Sequence, residues 1–197
     1  MSDPNYTALL IILDRSGSMA AIRDEMVGAV HRLLREQSRR PGFKTVDVVQ
    51  FDHQVIRTHQ LEDPARVELD IEPRGGTALY DAVGAALHDF RLFFNRQPEH
   101  ARPARVQIVV VTDGADNASV EHSPASVRGL IEASEAAGWE FIFTAATIDP
   151  AELAKELGTR RADTVAFEAT AGSVRRALAE TSRRMATTRR SASPAAS

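Results

Sequence analysis

The sequence contains no cysteine, which excludes disulfide bonds and thiolate metal sites. A zinc site would have to use histidine and carboxylate ligands, but the six histidines show no clustered ligand spacing. Long apolar runs are also missing, because the longest, "ALLIIL", is far too short to span a bilayer. The first residues, "MSDPNY", lack the basic and apolar regions of a secretory signal. These absences predict a soluble cytoplasmic protein that does not contact a membrane.

Nucleotide-binding signatures are missing as well. No G-x-G-x-x-G occurs, and the glycine-rich "PRGGTALYDA" lacks the Gly-Lys-Ser/Thr ending of a P-loop. The net charge of −3 divides unevenly, since six Arg and one Glu follow Gly172 and leave residues 1–172 at about −8. No aromatic residues lie between these arginines, so we interpret them as a solvated helix face and tail rather than a nucleic-acid site.

Strand-like and helix-like segments alternate along the chain, which is long enough for one α/β domain. The predicted strands are residues 6–13, 43–51, 55–61, 106–112, 139–146 and 164–167. The predicted helices are residues 20–39, 79–94, 125–137, 150–157 and 172–186. Only "DHQ" separates the second and third strands, which is too short for a helical crossover and predicts an antiparallel pair.

This alternation predicts a doubly wound, Rossmann-like α/β fold. Its sheet is expected to be mostly parallel, with one antiparallel edge strand and helices on both faces. Residues 1–187 are predicted to form a single domain. Residues 188–197 have no apolar face to bury and are predicted to be a disordered tail.

Polar loops follow several of the predicted strands. They are "DRSGS" at residues 14–18, the loop that begins at Asp113 and the one that begins at Asp149, and "GGT" at residues 75–77 opens a helix at the same edge. In open α/β sheets, ligands bind at the carboxyl ends of the strands. We therefore expect these loops, which are distant in sequence, to converge on one rim.

The side chains of these loops carry oxygen donors. Asp14, Ser16 and Ser18 occupy alternate positions, so all three are able to face one point, and Thr77 and Asp113 add a hydroxyl and a second carboxylate. Hard divalent cations prefer oxygen ligands of this kind. Taken alone, "DRSGS" also fits a polar turn in which a serine caps the next helix, and "GGTALYDA" also fits a phosphate-binding loop.

The three motifs "DRSGS", "GGTALYDA" and "TDG" together resemble the von Willebrand factor A (vWA) domain over about residues 6–186. The resemblance implies a metal-ion-dependent adhesion site (MIDAS) formed by Asp14, Ser16, Ser18, Thr77 and Asp113. The implied cofactor is Mg²⁺, with Mn²⁺ or Ca²⁺ as alternatives. In this family a carboxylate of the partner protein typically fills the open coordination position of the metal.

A rim that contacts the partner is also predicted, and its residues are Arg15, Arg74, Gly76, Gly114, Asp116 and Asn117. Arg15 and Arg74 flank the site, where they fit either residues that attract acidic partner groups or ordinary solvated charges. Asp116 and Asn117 fit either plain turn formers or residues that brace the metal loop. The implied function is a non-enzymatic intracellular module that captures an acidic residue of another protein. Small stand-alone bacterial vWA proteins often accompany AAA+ ATPases or tellurite-resistance-type stress systems, which makes such components candidate partners.

Two other functions stay open at this point. The first is a metal-dependent phosphohydrolase that uses Asp14 and Asp113. An aspartyl-phosphate phosphatase would normally have a second Asp two residues after the first, and that position is Ser16 here. The second is a scaffold that retains the loops but binds no metal.

Overall fold

The computed structural model describes residues 2–146, 149–159, 163–168 and 170–191. Its strands are β1 (Asp3–Asp14), β2 (Phe43–Phe51), β3 (Val55–Glu62), β4 (Pro103–Thr112), β5 (Glu140–Ala146) and β6 (Thr164–Phe167). They form one sheet in the order β3-β2-β1-β4-β5-β6. All neighbouring strands are parallel except β2 and β3, which pair antiparallel at the edge. The predicted sheet is therefore confirmed.

Helices cover both faces of the sheet. They are α1 (Arg23–Ser38), α2 (Leu79–Arg96), α3 (Pro124–Ala136), α4 (Pro150–Leu157) and α5 (Ala171–Ser191). Alternate side chains of β1 enter two separate cores, because Leu9 and Ile11 pack with α1 and α5 while Leu10 and Ile12 pack with α2, α3 and α4. A central strand covered on both faces is apolar throughout, which explains the continuous run in β1.

The largest differences from the predicted helix boundaries lie at the start of the first helix and the end of the last. The first helix was expected near Ala20, but a 3₁₀ helix (Gly17–Ile22) comes first and α1 begins at Arg23. Buried Met19 and Ile22 fix this tighter turn directly after the 14–18 loop. At the other end, α5 continues past the expected residue 186 to Ser191, and residues 192–197 of the predicted tail lie outside the described residues.

The segment between β3 and α2 forms no regular element, yet it is packed against the domain. Val67, Leu69 and Ile71 are buried at alternate positions in the core that contains α1. The Leu69 N–H donates to His31 Nε2 (3.2 Å), and Arg23 Nε donates to the Ile71 carbonyl (2.6 Å). These contacts hold the chain along α1 and carry it to the rim. Across the described ranges, no helix has the length and apolar character needed to cross a membrane.

Candidate metal centre

Three loops meet at the carboxyl edge of the sheet. We call residues 14–18 the first loop, residues 74–78 the second loop and residues 113–119 the third loop. Asp14 begins the first loop and is fully buried. Its Oδ1 accepts a hydrogen bond from the Ser16 N–H (2.7 Å), and its Oδ2 accepts one from Thr112 Oγ1 (2.6 Å). The carboxylate thus turns the loop back on itself, and the Oγ atoms of Ser16 and Ser18 lie 3.0 Å apart.

The third and second loops bring their oxygens to the same place. Ser18 Oγ donates to Asp113 Oδ1 at 2.8 Å, which joins residues 95 positions apart in sequence. A Cβ added to Gly114 would lie 3.9 Å from Thr77 Oγ1, so the threonine hydroxyl lies beside the third loop. The structure therefore brings together the five side chains that the sequence singles out. We call them the oxygen cluster: Asp14, Ser16, Ser18, Thr77 and Asp113.

The carboxylates of the oxygen cluster lie in an environment that disfavours negative charge. Burial raises the pKa of Asp14, although hydrogen bonds from Thr112 and Ser16 oppose the rise, and the nearby charge of Asp113 adds to it. Burial also raises the pKa of Asp113, against the bond from Ser18. A bound cation would stabilise both ionised forms.

The donor set suits a hard divalent cation. It consists of two carboxylates and three hydroxyls, which are oxygen ligands without nitrogen or sulfur. Within residues 2–146, 149–159, 163–168 and 170–191, no three His, Asp or Glu side chains come together as a metal-binding group. The hydroxyl-rich oxygen cluster is thus a different kind of candidate from a carboxylate–histidine site.

Asn117 and Asp116 brace the second loop and the start of α2. Asn117 Oδ1 accepts from the Thr77 N–H (2.8 Å), and the Asn117 N–H donates to the Thr77 carbonyl (2.9 Å). Asp116 Oδ1 accepts from the Tyr80 N–H at 3.3 Å. A Cβ at Gly76 would lie only 2.7 Å from Asn117 Oδ1, so glycine is needed for this close contact. The bracing role considered for these two residues agrees with their contacts.

Arg15 and Arg74, predicted to lie on the rim, both contact Asp52. The Asp52 side chain is fully buried, its Oδ2 accepts from Arg74 Nε (2.9 Å), and Arg15 Nη2 lies 3.1 Å from the same oxygen. The Arg15 side chain is only 11% exposed, whereas that of Arg74 is 48% exposed. Arg15 therefore offers a partner little surface, and Arg74 retains half of its own.

Asp52 and Thr112 are the residues of this region that the sequence did not reveal. Asp52 lies in "DHQ", which has the composition of an ordinary hairpin turn, and its arginine partners are distant in sequence. Burial alone would raise the pKa of Asp52, but the bonds from Arg74 and Gln54 and the charge of Arg15 hold it below its usual value. Thr112 is the first residue of "TDG", but no role is predicted for it from the sequence, and nothing in the motif marks its bond to Asp14.

A family model described as "VWA domain containing CoxE-like protein" matches residues 3–141. That range contains β1 to β4 and all three loops. No curated protein matches the chain.

Similar solved structures have the same fold. Proximal thread matrix protein 1 from the mussel byssus, described "with zinc occupied MIDAS motif", aligns with a TM-score of 0.69 at 15% identity, covering 92% of this chain and 46% of that one. The vWF domain of the type V pili tip protein Mfa5 from Porphyromonas gingivalis gives 0.65 at 10% identity over 95% and 97%. The ArnB paralog VWA2 from Sulfolobus acidocaldarius gives 0.58 at 17% identity over 91% and 45%. The chain thus spans about half the length of the mussel protein.

Proposed function

Since the chain belongs to the family of VWA domain containing CoxE-like proteins, we propose that it is a protein-binding module that holds a divalent cation in the oxygen cluster. The cation, Mg²⁺ in the first instance and Mn²⁺ or Ca²⁺ as alternatives, would be held by Asp14, Ser16, Ser18, Thr77 and Asp113. It would supply a positive centre that attracts the carboxylate of a partner's Asp or Glu. Components of AAA+ ATPase or tellurite-resistance-type systems are the partners we propose first.

One observation carries this proposal: the continuous contact from Ser16 through Ser18 to Asp113. Ser16 Oγ and Ser18 Oγ are 3.0 Å apart, and Ser18 Oγ is 2.8 Å from Asp113 Oδ1. Oxygens this close together are able to share one small cation. The zinc-occupied MIDAS motif named for the mussel protein supports the idea, because that protein has the same fold.

The open side of the oxygen cluster supports capture of an external group. Asp14, Ser16 and Thr77 are buried, whereas Gly17 and Ser18 are exposed at the surface of the first loop. A cation bound here would be enclosed by protein on one side and accessible on the other. Charge interactions in such a partly desolvated place are stronger than in bulk water.

Metal binding is tested by titrating Mg²⁺ or Mn²⁺ into the EDTA-treated protein and following its melting temperature. We expect a saturable rise, which Asp14→Ala and Asp113→Ala abolish because each removes a carboxylate ligand. Asp70→Ala is the matched control, since its side chain is 92% exposed and lies outside the oxygen cluster. A rise of equal size in all four proteins would contradict the proposed site.

Partner capture needs a second experiment. The wild-type protein is used to capture proteins from its native cell. Candidate partners are those that EDTA releases and that the Asp14→Ala variant does not capture. Each accessible Asp and Glu of such a partner is then changed to Asn or Gln. We expect one of these amide substitutions to abolish metal-dependent binding, and retention of binding by all of them would overturn carboxylate capture.

The phosphohydrolase alternative is separated from the binding module by a phosphatase screen of the metal-loaded protein. The binding module predicts no turnover of generic phosphomonoesters above that of Asp14→Ala. Turnover that Asp14→Ala and Asp113→Ala both eliminate would instead favour the enzyme.

A further inference from the structure

Asp52 contacts both loops that supply hydroxyls to the oxygen cluster. It follows the last residue of β2, whose register partner in β1 is Asp14, so its carboxylate lies next to the start of the first loop. Arg15 of the first loop and Arg74 of the second loop both lie within 3.1 Å of Asp52 Oδ2. The other carboxylate oxygen, Oδ1, accepts from the Gln54 N–H (2.7 Å). One buried carboxylate thus connects the two loops to the hairpin between β2 and β3.

Main-chain hydrogen bonds complete this connection. The Asp52 carbonyl accepts from the Ala78 N–H (2.8 Å), directly after Thr77, and the Phe51 carbonyl accepts from the Arg15 N–H (2.7 Å). The loops also bond to each other. The Arg74 N–H donates to the Arg15 carbonyl (2.9 Å), and the Gly17 N–H donates to the Gly75 carbonyl (3.1 Å).

This network fixes the distance between the hydroxyls of the first loop and the hydroxyl of the second loop. A small cation binds well only if its ligands already lie near their final positions, because reorganising a loop reduces the binding free energy. We propose that Asp52 is a positioning residue for the cation site: it holds the first and second loops so that Ser16, Ser18 and Thr77 present their oxygens to one centre. The inference rests on the proposed function, since it concerns the same cation.

Simple charge balance would also link Asp52 to the cation, and the two explanations make opposite predictions at Arg74. If Asp52 acted only through its negative charge, removing the positive charge of Arg74 would strengthen cation binding. If Asp52 holds the second loop through Arg74, removing the guanidinium weakens cation binding. Arg74→Gln therefore separates positioning from charge balance.

Strands β2 and β3 offer a matched control pair. Asp47 is also buried in β2, accepts from the Leu61 N–H (2.8 Å) and lies 3.8 Å from the Arg57 guanidinium. It precedes Asp52 by five residues, which is about 17 Å along a strand. Asp47→Asn in β2 and Arg57→Gln in β3 thus remove the same kinds of group far from the oxygen cluster.

The experiment measures Mn²⁺ affinity of the full chain by electron paramagnetic resonance of free Mn²⁺, with Mg²⁺ competition. Circular dichroism confirms that each variant is folded at the temperature used. We expect Asp52→Asn to weaken Mn²⁺ binding at least about tenfold. Arg74→Gln is expected to weaken it about threefold or more, and Asp47→Asn and Arg57→Gln to stay within about twofold of the wild type.

The outcomes distinguish failure of the proposed metal site from failure of the positioning role of Asp52. If the wild type binds no Mn²⁺, the proposed function itself fails. If the wild type binds and Asp52→Asn binds equally well, or if Arg74→Gln binds more tightly, the positioning role is overturned while the metal site stands. Equal weakening in the control pair would also overturn it, because the effect would then be general destabilisation. If Asp52→Asn does not fold, Arg74→Gln decides, since Arg74 is half exposed.

Discussion

Asp14 and Asp113 differ from Asp52 in what surrounds their carboxylates, although all three are buried at the carboxyl edge of one sheet. Hydroxyl and main-chain groups contact Asp14, and its pKa lies above the usual value. Asp52 is held by two arginines, and its pKa lies below the usual value. Burying a carboxylate is unfavourable unless positive charge or hydrogen bonds compensate. The protein provides that charge at Asp52, and we propose that a bound cation provides it at the oxygen cluster.

Removing the charge of Asp52 from the metal-free protein is expected to have the largest effect on stability. Asp52→Asn leaves the almost buried Arg15 without its carboxylate, and breaking a buried ion pair in this way costs about 3 kcal/mol of unfolding free energy. Urea unfolding in EDTA measures the loss. Asp47→Asn retains an oxygen that accepts from the Leu61 N–H and loses the charge that faces Arg57 at 3.8 Å, so it is expected to cost only about 1 kcal/mol. Equal losses in the two variants would mean that the arginines contribute nothing specific at Asp52.

A second test uses pH. Because the pKa values of Asp14 and Asp113 are raised on folding, the folded state holds more protons than the unfolded state just above the ordinary aspartate pKa of about 3.9. The unfolding free energy of the metal-free protein should therefore fall as pH rises through the window between that value and the raised values. For Asp52 the sign is opposite: its stabilisation is present above the ordinary value and is lost as pH falls through the lowered one.

The double variant Asp14→Asn/Asp113→Asn removes the contribution of Asp14 and Asp113 to this pH dependence. Denaturant unfolding in EDTA between about pH 4 and pH 7 should give a smaller decrease for the variant than for the wild type. Asp47 also has a raised pKa, but it is common to both proteins and cancels. Saturating Mg²⁺ should reduce the pH dependence of the unfolding free energy in the wild type but not in the variant. Parallel curves for the two proteins in EDTA would show that burial does not disfavour ionisation in the oxygen cluster.

Gly76→Ala tests the link between the second and third loops with a smaller change. Its Cβ would lie 2.7 Å from Asn117 Oδ1, which pushes the acceptor away from the Thr77 N–H and costs about 1–2 kcal/mol. Mn²⁺ affinity should fall several-fold along with the stability measured in urea. Gly28→Ala in α1 has open space around its Cβ and should gain up to about 1 kcal/mol with unchanged Mn²⁺ affinity. Wild-type affinity in Gly76→Ala would contradict bracing by Asn117.

The sequence predicts the sheet and the oxygen cluster well because both depend on local signals. The bounds of β2 and β6 agree with the predicted ranges, since segments rich in β-branched and aromatic residues lie between polar turns in both cases. "DRSGS", "GGT" and "TDG" follow or precede clear elements, so the rule that carboxyl ends of parallel strands converge was sufficient to bring them together.

The arginine contacts of Asp52 were not predictable in this way. Arg15 and Arg74 lie 37 and 22 positions from Asp52, and no periodic pattern links charged residues across such distances. Only the β1–β2 register and the course of the chain along α1 bring them together. The late start of α1 has a similar cause, because burial of Met19 and Ile22 overrides the helical pattern that begins at Ala20.

Thr112→Val is expected to have the smallest effect. The change removes the hydroxyl that donates to Asp14 Oδ2 (2.6 Å), which costs about 1 kcal/mol in EDTA and frees one side of the carboxylate. Mn²⁺ binding should weaken by about two- to threefold, because one hydrogen bond that orients a ligand is lost. Thr144→Val in β5 is the matched control, since its buried hydroxyl forms a 2.9 Å hydrogen bond with Thr181 of α5. Both variants should lose similar stability, but only Thr112→Val should lose affinity, and unchanged affinity in both would mean that Asp14 is oriented by its own loop alone.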